Sequence, residues 1–131
     1  MSEQTTVGEV IVAFLEQCGV GMAFGVISIH NMPILDAIGR RNKMRFIMAR
    51  GEAGATNMAD GYARVGNRLG VTITSTGTAA GNAAGAMVEA LTAGSSVLHI
   101  TGQIETAYLD QQRAYIHQAH KPLDILQPVL K

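Results

Sequence analysis

Apolar positions along the chain fall into short unbroken runs separated by longer stretches of helical spacing, the alternation expected of an α/β domain with a mainly parallel sheet. Thr6 and Glu9 form a capping-box pattern, and Val7, Val10, Ile11, Phe14, Leu15 and Cys18 follow at helical spacing. That row is expected to face the core, with Cys18 as a small buried residue and Gly19 ending the helix. Met22-Ala23-Phe24-Gly25-Val26 reads as a strand, and Asn31 with Pro33 opens a helix carrying Ile34, Leu35 and Ile38. Arg40-Arg41-Asn42-Lys43 reads as a solvated basic turn, and Phe46-Ile47-Met48-Ala49 as a buried parallel strand.

From Glu52 the pattern changes. Gly54, Ala55, Ala59, Gly61 and Ala63 sit in a helix whose small residues sacrifice propensity and side-chain burial, so something must pack closely on it. Asp60 and Arg64, four apart, predict a surface ion pair. Gly70 to Ser75 is a third strand, Thr76 to Asn82 a turn, and Ala83 to Ala93 a second small-residue helix stopped by Gly94. Ser96 to Thr101 is a fourth strand, in which His99 is expected to be a hydrogen-bonded structural histidine. The polar segment with Tyr108, Tyr115, His117, Gln118 and His120 lacks clean periodicity and reads as a loop with a partial helix.

Composition narrows the function classes. A chain of 131 residues buries about two-thirds of its unfolded surface, enough for one core, so residues 1–131 are read as one domain. Charged residues make up 15% and the formal net charge is zero, which gives no surface for nucleic acid or acidic lipid. The single cysteine excludes an internal disulfide, and neither a signal-peptide pattern nor an apolar run of membrane-spanning length is visible; the protein is expected to be cytoplasmic.

The chemistry concentrates where strands hand over to helices. Glu52 follows a strand and opens a helix, at the rim where open α/β sheets hold ligands. Its alternative is a carboxylate that stabilises the helix start through the dipole. Ser28 and His30 lie after the first strand. The turn around Gly77 invites a phosphate-binding reading, but neither nucleotide fingerprint is present.

Phe24-Gly25-Val26, Glu52-Ala53-Gly54-Ala55, Ala59-Asp60-Gly61-Tyr62-Ala63-Arg64, Ser75-Thr76-Gly77, Asn82 and Ile100-Thr101-Gly102-Gln103 occur in one order and spacing. Together they resemble the N-terminal pyrimidine-binding domain of thiamine diphosphate enzymes, in the acetolactate synthase, benzoylformate decarboxylase and pyruvate decarboxylase group. The resemblance implies a three-layer α/β/α fold and a cofactor site that includes Gly25, Val26, Glu52, Ser75, Gly77 and Asn82, with Glu52 as the catalytic residue. In that family a glutamate at the Glu52 position hydrogen-bonds the aminopyrimidine ring and promotes its imino tautomer, and the cofactor carries the decarboxylation of a 2-keto acid. His30, His117 and Gln118 fall on the substrate side. Three places depart from the pattern: Ile27-Ser28-Ile29 puts an isoleucine where some relatives carry a substrate-side serine or acid, Gly77-Thr78-Ala79 replaces Gly-Pro-Gly, and Ile116-His117-Gln118 aligns only with a gap.

The resemblance also implies what lies elsewhere. Magnesium and the diphosphate are held in the family by a separate domain with a Gly-Asp-Gly motif, which this sequence lacks, so no metal ligand is assigned here. A diphosphate-binding domain or subunit is therefore the expected partner, in a homodimer or tetramer, with the chain either cut from a longer protein or one small subunit. Two other classes remain: a stand-alone flavodoxin-like binding module, and a non-catalytic interaction domain.

Overall fold

The computed structural model describes residues 5–131, so the first four positions of the expected domain lie outside the description. Strands β1 (Met22–Gly25), β2 (Arg45–Met48), β3 (Gly70–Thr76) and β4 (Val97–Gly102) form one sheet in the order β2-β1-β3-β4, with every pairing parallel. Helices α1 (Val7–Gln17) and α2 (Met32–Arg41) cover one face. On the other lie α3 (Glu52–Gly66) and α4 (Thr78–Ala93), and a short helix, α5 (Pro122–Leu126), packs on α4. The three-layer α/β/α arrangement expected from the sequence is the one observed.

Alternation along β3 divides the interior in two. Val71 and Ile73 join Val12, Leu15, Ala37 and Ile38 in the larger aliphatic core. Thr72, Thr74 and Thr76 turn to the opposite face, fully buried. There the helix backbone comes very close: a Cβ on Gly70 would lie 2.2 Å from the Ala59 carbonyl oxygen. The small residues of α3 and α4 therefore have an internal purpose, since Ala55, Ala59 and Ala63 of α3, and Ala79, Ala80, Ala83, Ala86 and Ala90 of α4, are buried within this one chain.

Several sequence expectations are corrected. The capping box at Thr6 and Glu9 is present, but Val7, Val10, Phe14 and Cys18 are exposed. Helix α1 carries two apolar rows, and only Gly8, Val12 and Leu15, with half-buried Ile11, face the interior. Strand β2 lies at the sheet edge and is half-exposed rather than buried. Arg40 and Arg41 end α2 instead of forming a turn, and they bind Glu9 and Glu16 of α1. Both carboxyl groups are held below the usual range, Glu9 chiefly by the Thr6 backbone N–H and Glu16 by the Arg41 guanidinium. Helix α4 begins at Thr78, five residues ahead of expectation, because Gly77 alone turns the chain with φ 51°. The Asp60–Arg64 pair is not a surface pair: Asp60 is buried, its carboxyl lowered by the Arg64 guanidinium, which also donates to the Glu89 carbonyl and so ties α3 to α4.

His99 meets its expectation. Its Nε2 lies 2.7 Å from Thr74 Oγ1 within the sheet, and burial pushes the imidazole down to about 4.

Candidate functional site

The strand order reverses direction at β1 and β3, so the chain leaves these neighbouring strands toward opposite edges. Their carboxyl ends form the crevice where parallel sheets bind ligands. Gly25 ends β1, and only a glycine fits there, because a Cβ would lie 2.0 Å from the Ile73 carbonyl oxygen. The half-buried Val26 continues the contact, its N–H donating to that same carbonyl at 3.2 Å. On the β3 side Ser75 is half-buried and its carbonyl accepts from Thr101 Oγ1.

Glu52 reaches this rim from β2. The backbone at Ala49 is fixed by an N–H bond to the Gly25 carbonyl at 2.8 Å, Arg50 and Gly51 turn, and Glu52 is the first residue of α3. It is half-buried at the positive end of the helix dipole, where a carboxylate is favoured. Asn82, one turn into α4, donates to Glu52 Oε2 at 3.1 Å. The early start of α4 makes this bond possible, since it places Asn82 on a helix that packs against α3. Among the described residues none donates to Glu52 Oε1, so one oxygen of an oriented carboxylate is left for a donor.

Beside this pair lies a second group. Gly77 is pressed against the late loop, where a Cβ would fall 1.7 Å from the His117 carbonyl oxygen. His117 is exposed with φ 58°, and Gln118 turns inward to accept from the Tyr115 N–H at 3.0 Å. His30 packs beside Thr76 against Gly102, and its enclosed Nε2 has no partner among the described residues; Ser28 Oγ and Thr76 Oγ1 share that condition. The structure thus brings Glu52 to Asn82, and His30, Gly77 and the His117 backbone to one neighbouring stretch of rim. No side-chain hydrogen bond joins Glu52 to His30, His117 or Gln118.

Two features had no role assigned to them individually in the sequence. Asn31, expected only to start α2, makes no capping bond; buried to 2% exposure, it accepts from the Ser28 N–H and donates to the Val26 and Thr74 carbonyls. Its place before Met-Pro was the available signal, and it pointed to a cap. Tyr108 stacks on Tyr115 with centroids 4.6 Å apart, and Tyr115 donates to Glu105 at 2.9 Å. That bond raises the Tyr115 hydroxyl, while Glu105 is lowered, first by its own backbone N–H and then by Tyr115. Nothing in the spacing marked this cluster.

Residues 5–127 match the family described as thiamine pyrophosphate enzyme, N-terminal TPP binding domain. The chain belongs to this family. It is 32% identical over 102 residues to the acetolactate synthase of Mycobacterium bovis, covering 78% of this chain and 16% of that protein. The isozyme 1 large subunit of acetolactate synthase from Escherichia coli is 33% identical over 104 residues, covering 79% and 18%. The chain therefore spans less than a fifth of the length of these relatives. Among solved structures, a thiamine diphosphate-dependent 4-hydroxybenzoylformate decarboxylase of Rhodococcus jostii superposes with a TM-score of 0.88 over 97% of this chain and 23% of that one, at 23% identity, a likeness of fold.

For a TPP-binding domain, the rim fits the pyrimidine end of the cofactor in one respect: its carboxylate is oriented through one oxygen, and among the described residues the other accepts no hydrogen bond and is left for a ring donor. Among the described residues no three His, Cys, Asp or Glu side chains come together as metal ligands, and no helix is long and apolar enough to cross a membrane.

Proposed function

We propose that this chain forms the pyrimidine half of a thiamine diphosphate site in an acetolactate synthase-like enzyme acting on a 2-keto acid. The observation that carries the reading is the Glu52 carboxylate at the switch-point rim, oriented by Asn82 through one oxygen, with no donor to the other among the described residues. Bound thiamine diphosphate supplies the electron sink for decarboxylating such an acid. This chain's part is to orient and to hold a proton. Glu52 accepts from or shares a proton with the pyrimidine ring nitrogen, and Asn82 keeps the carboxylate from rotating away. The backbone of Gly25, Val26, Ser75 and Gly77 borders the ring, and His30, His117 and Gln118 stand on the substrate side. Magnesium and the diphosphate fall to a partner domain or subunit.

Self-association fits the same reading. Gly54 and Gly61 of α3, with Gly81 and Gly85 of α4, face open space, where a Cβ would meet nothing within 4 Å. Glycines inside helices cost about 0.5–1 kcal/mol each, and no contact among the described residues accounts for these, which supports close approach of a second copy to this outer face. Ala59 and Ala86, fully or nearly enclosed in the monomer, take no part in it.

The test needs no partner. Titrating the chain with the aminopyrimidine fragment of thiamine should shift the amide resonances of Glu52, Asn82 and Gly77, with a dissociation constant of about 1 mM. Glu52→Gln should weaken this binding about tenfold while leaving the fold intact. Shifts confined to other residues, or unchanged binding by Glu52→Gln, would defeat the assignment.

A further inference from the structure

The polar segment between β4 and α5 is anchored by burial at its two ends. Ile104 is buried at its start, and beyond its end Leu126 of α5 is buried where that helix packs on α4. Between these anchors no residue from 105 to 120 is buried. Every hydrogen bond that this stretch makes among the described residues stays inside it. The loop after β1 is built differently, since Asn31 ties it to the Thr74 carbonyl of the central strand.

This self-contained segment nevertheless rests on the rim. The place that a Gly77 Cβ would take is filled by the His117 carbonyl, and no described residue donates to that carbonyl. The closed form is also strained. Asp110, Gln112, Ala114 and His117 hold φ at 61°, 49°, 53° and 58°, in the left-handed region. Asp and His tolerate it, whereas Gln112 and Ala114 have no side chain suited to it. Tyr115, in the middle of the segment, donates to Glu105 at 2.9 Å and stacks on Tyr108. Both of those partners stand at the segment's start, around the single turn Thr106–Tyr108, so Tyr115 pins the middle to its base.

We propose that residues 105–120 are a strap that closes the Gly77 turn in the free chain, latched by Tyr115, and that an aminopyrimidine ring binds there only when the strap lifts. Gly77 borders the ring in the pyrimidine reading, on which this rests. Ring affinity is then reduced by the fraction of time the strap is open, and whatever shifts that fraction shifts the apparent dissociation constant equally. Thr76 adjoins Gly77 and His30 packs beside it, so the lifted strap also opens the way to their enclosed polar atoms.

Relaxation of the backbone amides tests the latch in the free chain. Tyr115→Phe keeps the stack and removes only the bond to Glu105, so order parameters across residues 109–120 should fall from about 0.85 toward about 0.6 while those of α5 hold. Titration with the aminopyrimidine fragment of thiamine tests the closure. Tyr115→Phe should bind it about threefold more tightly than the wild type. Ala114→Gly relieves the left-handed strain of the closed strap and should bind about twofold more weakly. Unchanged order in Tyr115→Phe, or wild-type binding that neither variant alters, would overturn the strap and leave the pyrimidine reading standing. Binding by none of the three chains would instead defeat that reading, and with it the ring as the strap's trigger, while the relaxation data would still decide the latch.

Discussion

The two faces of β3 are built from different chemistry. Val71 and Ile73 meet the aliphatic side chains of α1 and α2, whereas Thr72, Thr74 and Thr76 lie under the alanines of α3 and α4. On the first face, large side chains fill the gap between layers and supply most of the transfer free energy. On the second, the helices stand so close that little side chain fits. The hydroxyls of Thr72 and Thr76 are buried there without partners among the described residues. The first face secures the domain. The second gives up stability to bring two helix N-termini, and with them Glu52 and Asn82, close together at the same rim.

If this division is right, moving one face's chemistry onto the other should cost most. Ile73→Thr removes aliphatic volume and buries a hydroxyl with no partner, and should lower the unfolding free energy by about 3 kcal/mol, read from urea denaturation. A loss below ~1 kcal/mol would mean the faces are interchangeable.

Acid should attack the polar face next. His99 is neutral when folded, with its imidazole at about 4 against an ordinary 6.5, so the unfolded chain binds the extra proton and stability falls as pH drops from 6.5 toward 4. The full loss is about 3 kcal/mol. His99→Leu should flatten this slope in pH-dependent denaturation. The lowered carboxyls of Asp60, Glu9 and Glu16 act in a lower window: their contribution is present above the ordinary carboxylate range and is lost as pH falls through it.

Thr72→Val keeps the shape of the side chain and removes an unpaired hydroxyl, so it should stabilise by about 1 kcal/mol, as a rise in melting temperature. The smallest effect is expected at Gly61→Ala, which adds a methyl to open space on α3 and should raise monomer stability by about 0.5 kcal/mol. Should the outer face of α3 and α4 be a contact, the same change would weaken association measured at high concentration.

Local signals in the sequence were read where they act locally. The capping box at Thr6, the stop at Gly94 and the start near Pro33 all stand where the residues indicate. The rim position of Glu52 was also legible, because it needs only a strand, a turn and a helix in succession. What failed depended on a second element. Helix α1 has two apolar rows, and the choice between them is made by the sheet and α2. Asp60 is buried because α4 closes over it, not because of anything near it in sequence. The start of α4 was missed since Gly77 turns the chain through a left-handed φ with no side-chain cap. The bond from Asn82 to Glu52 was hidden by that same error.

Asn31 has a kinetic consequence. One amide group joins the amide of Ser28, the carbonyl of Val26 and the carbonyl of Thr74, so the loop after β1 has no independent hinge. To open, it must release a bond to the central strand. Loops ordinarily exchange their amide hydrogens through cheap local fluctuations, while central strands exchange only in larger openings. The Ser28 amide, though it lies in a loop, should therefore exchange as slowly as the strand, and the rim that carries His30 should open only with the sheet.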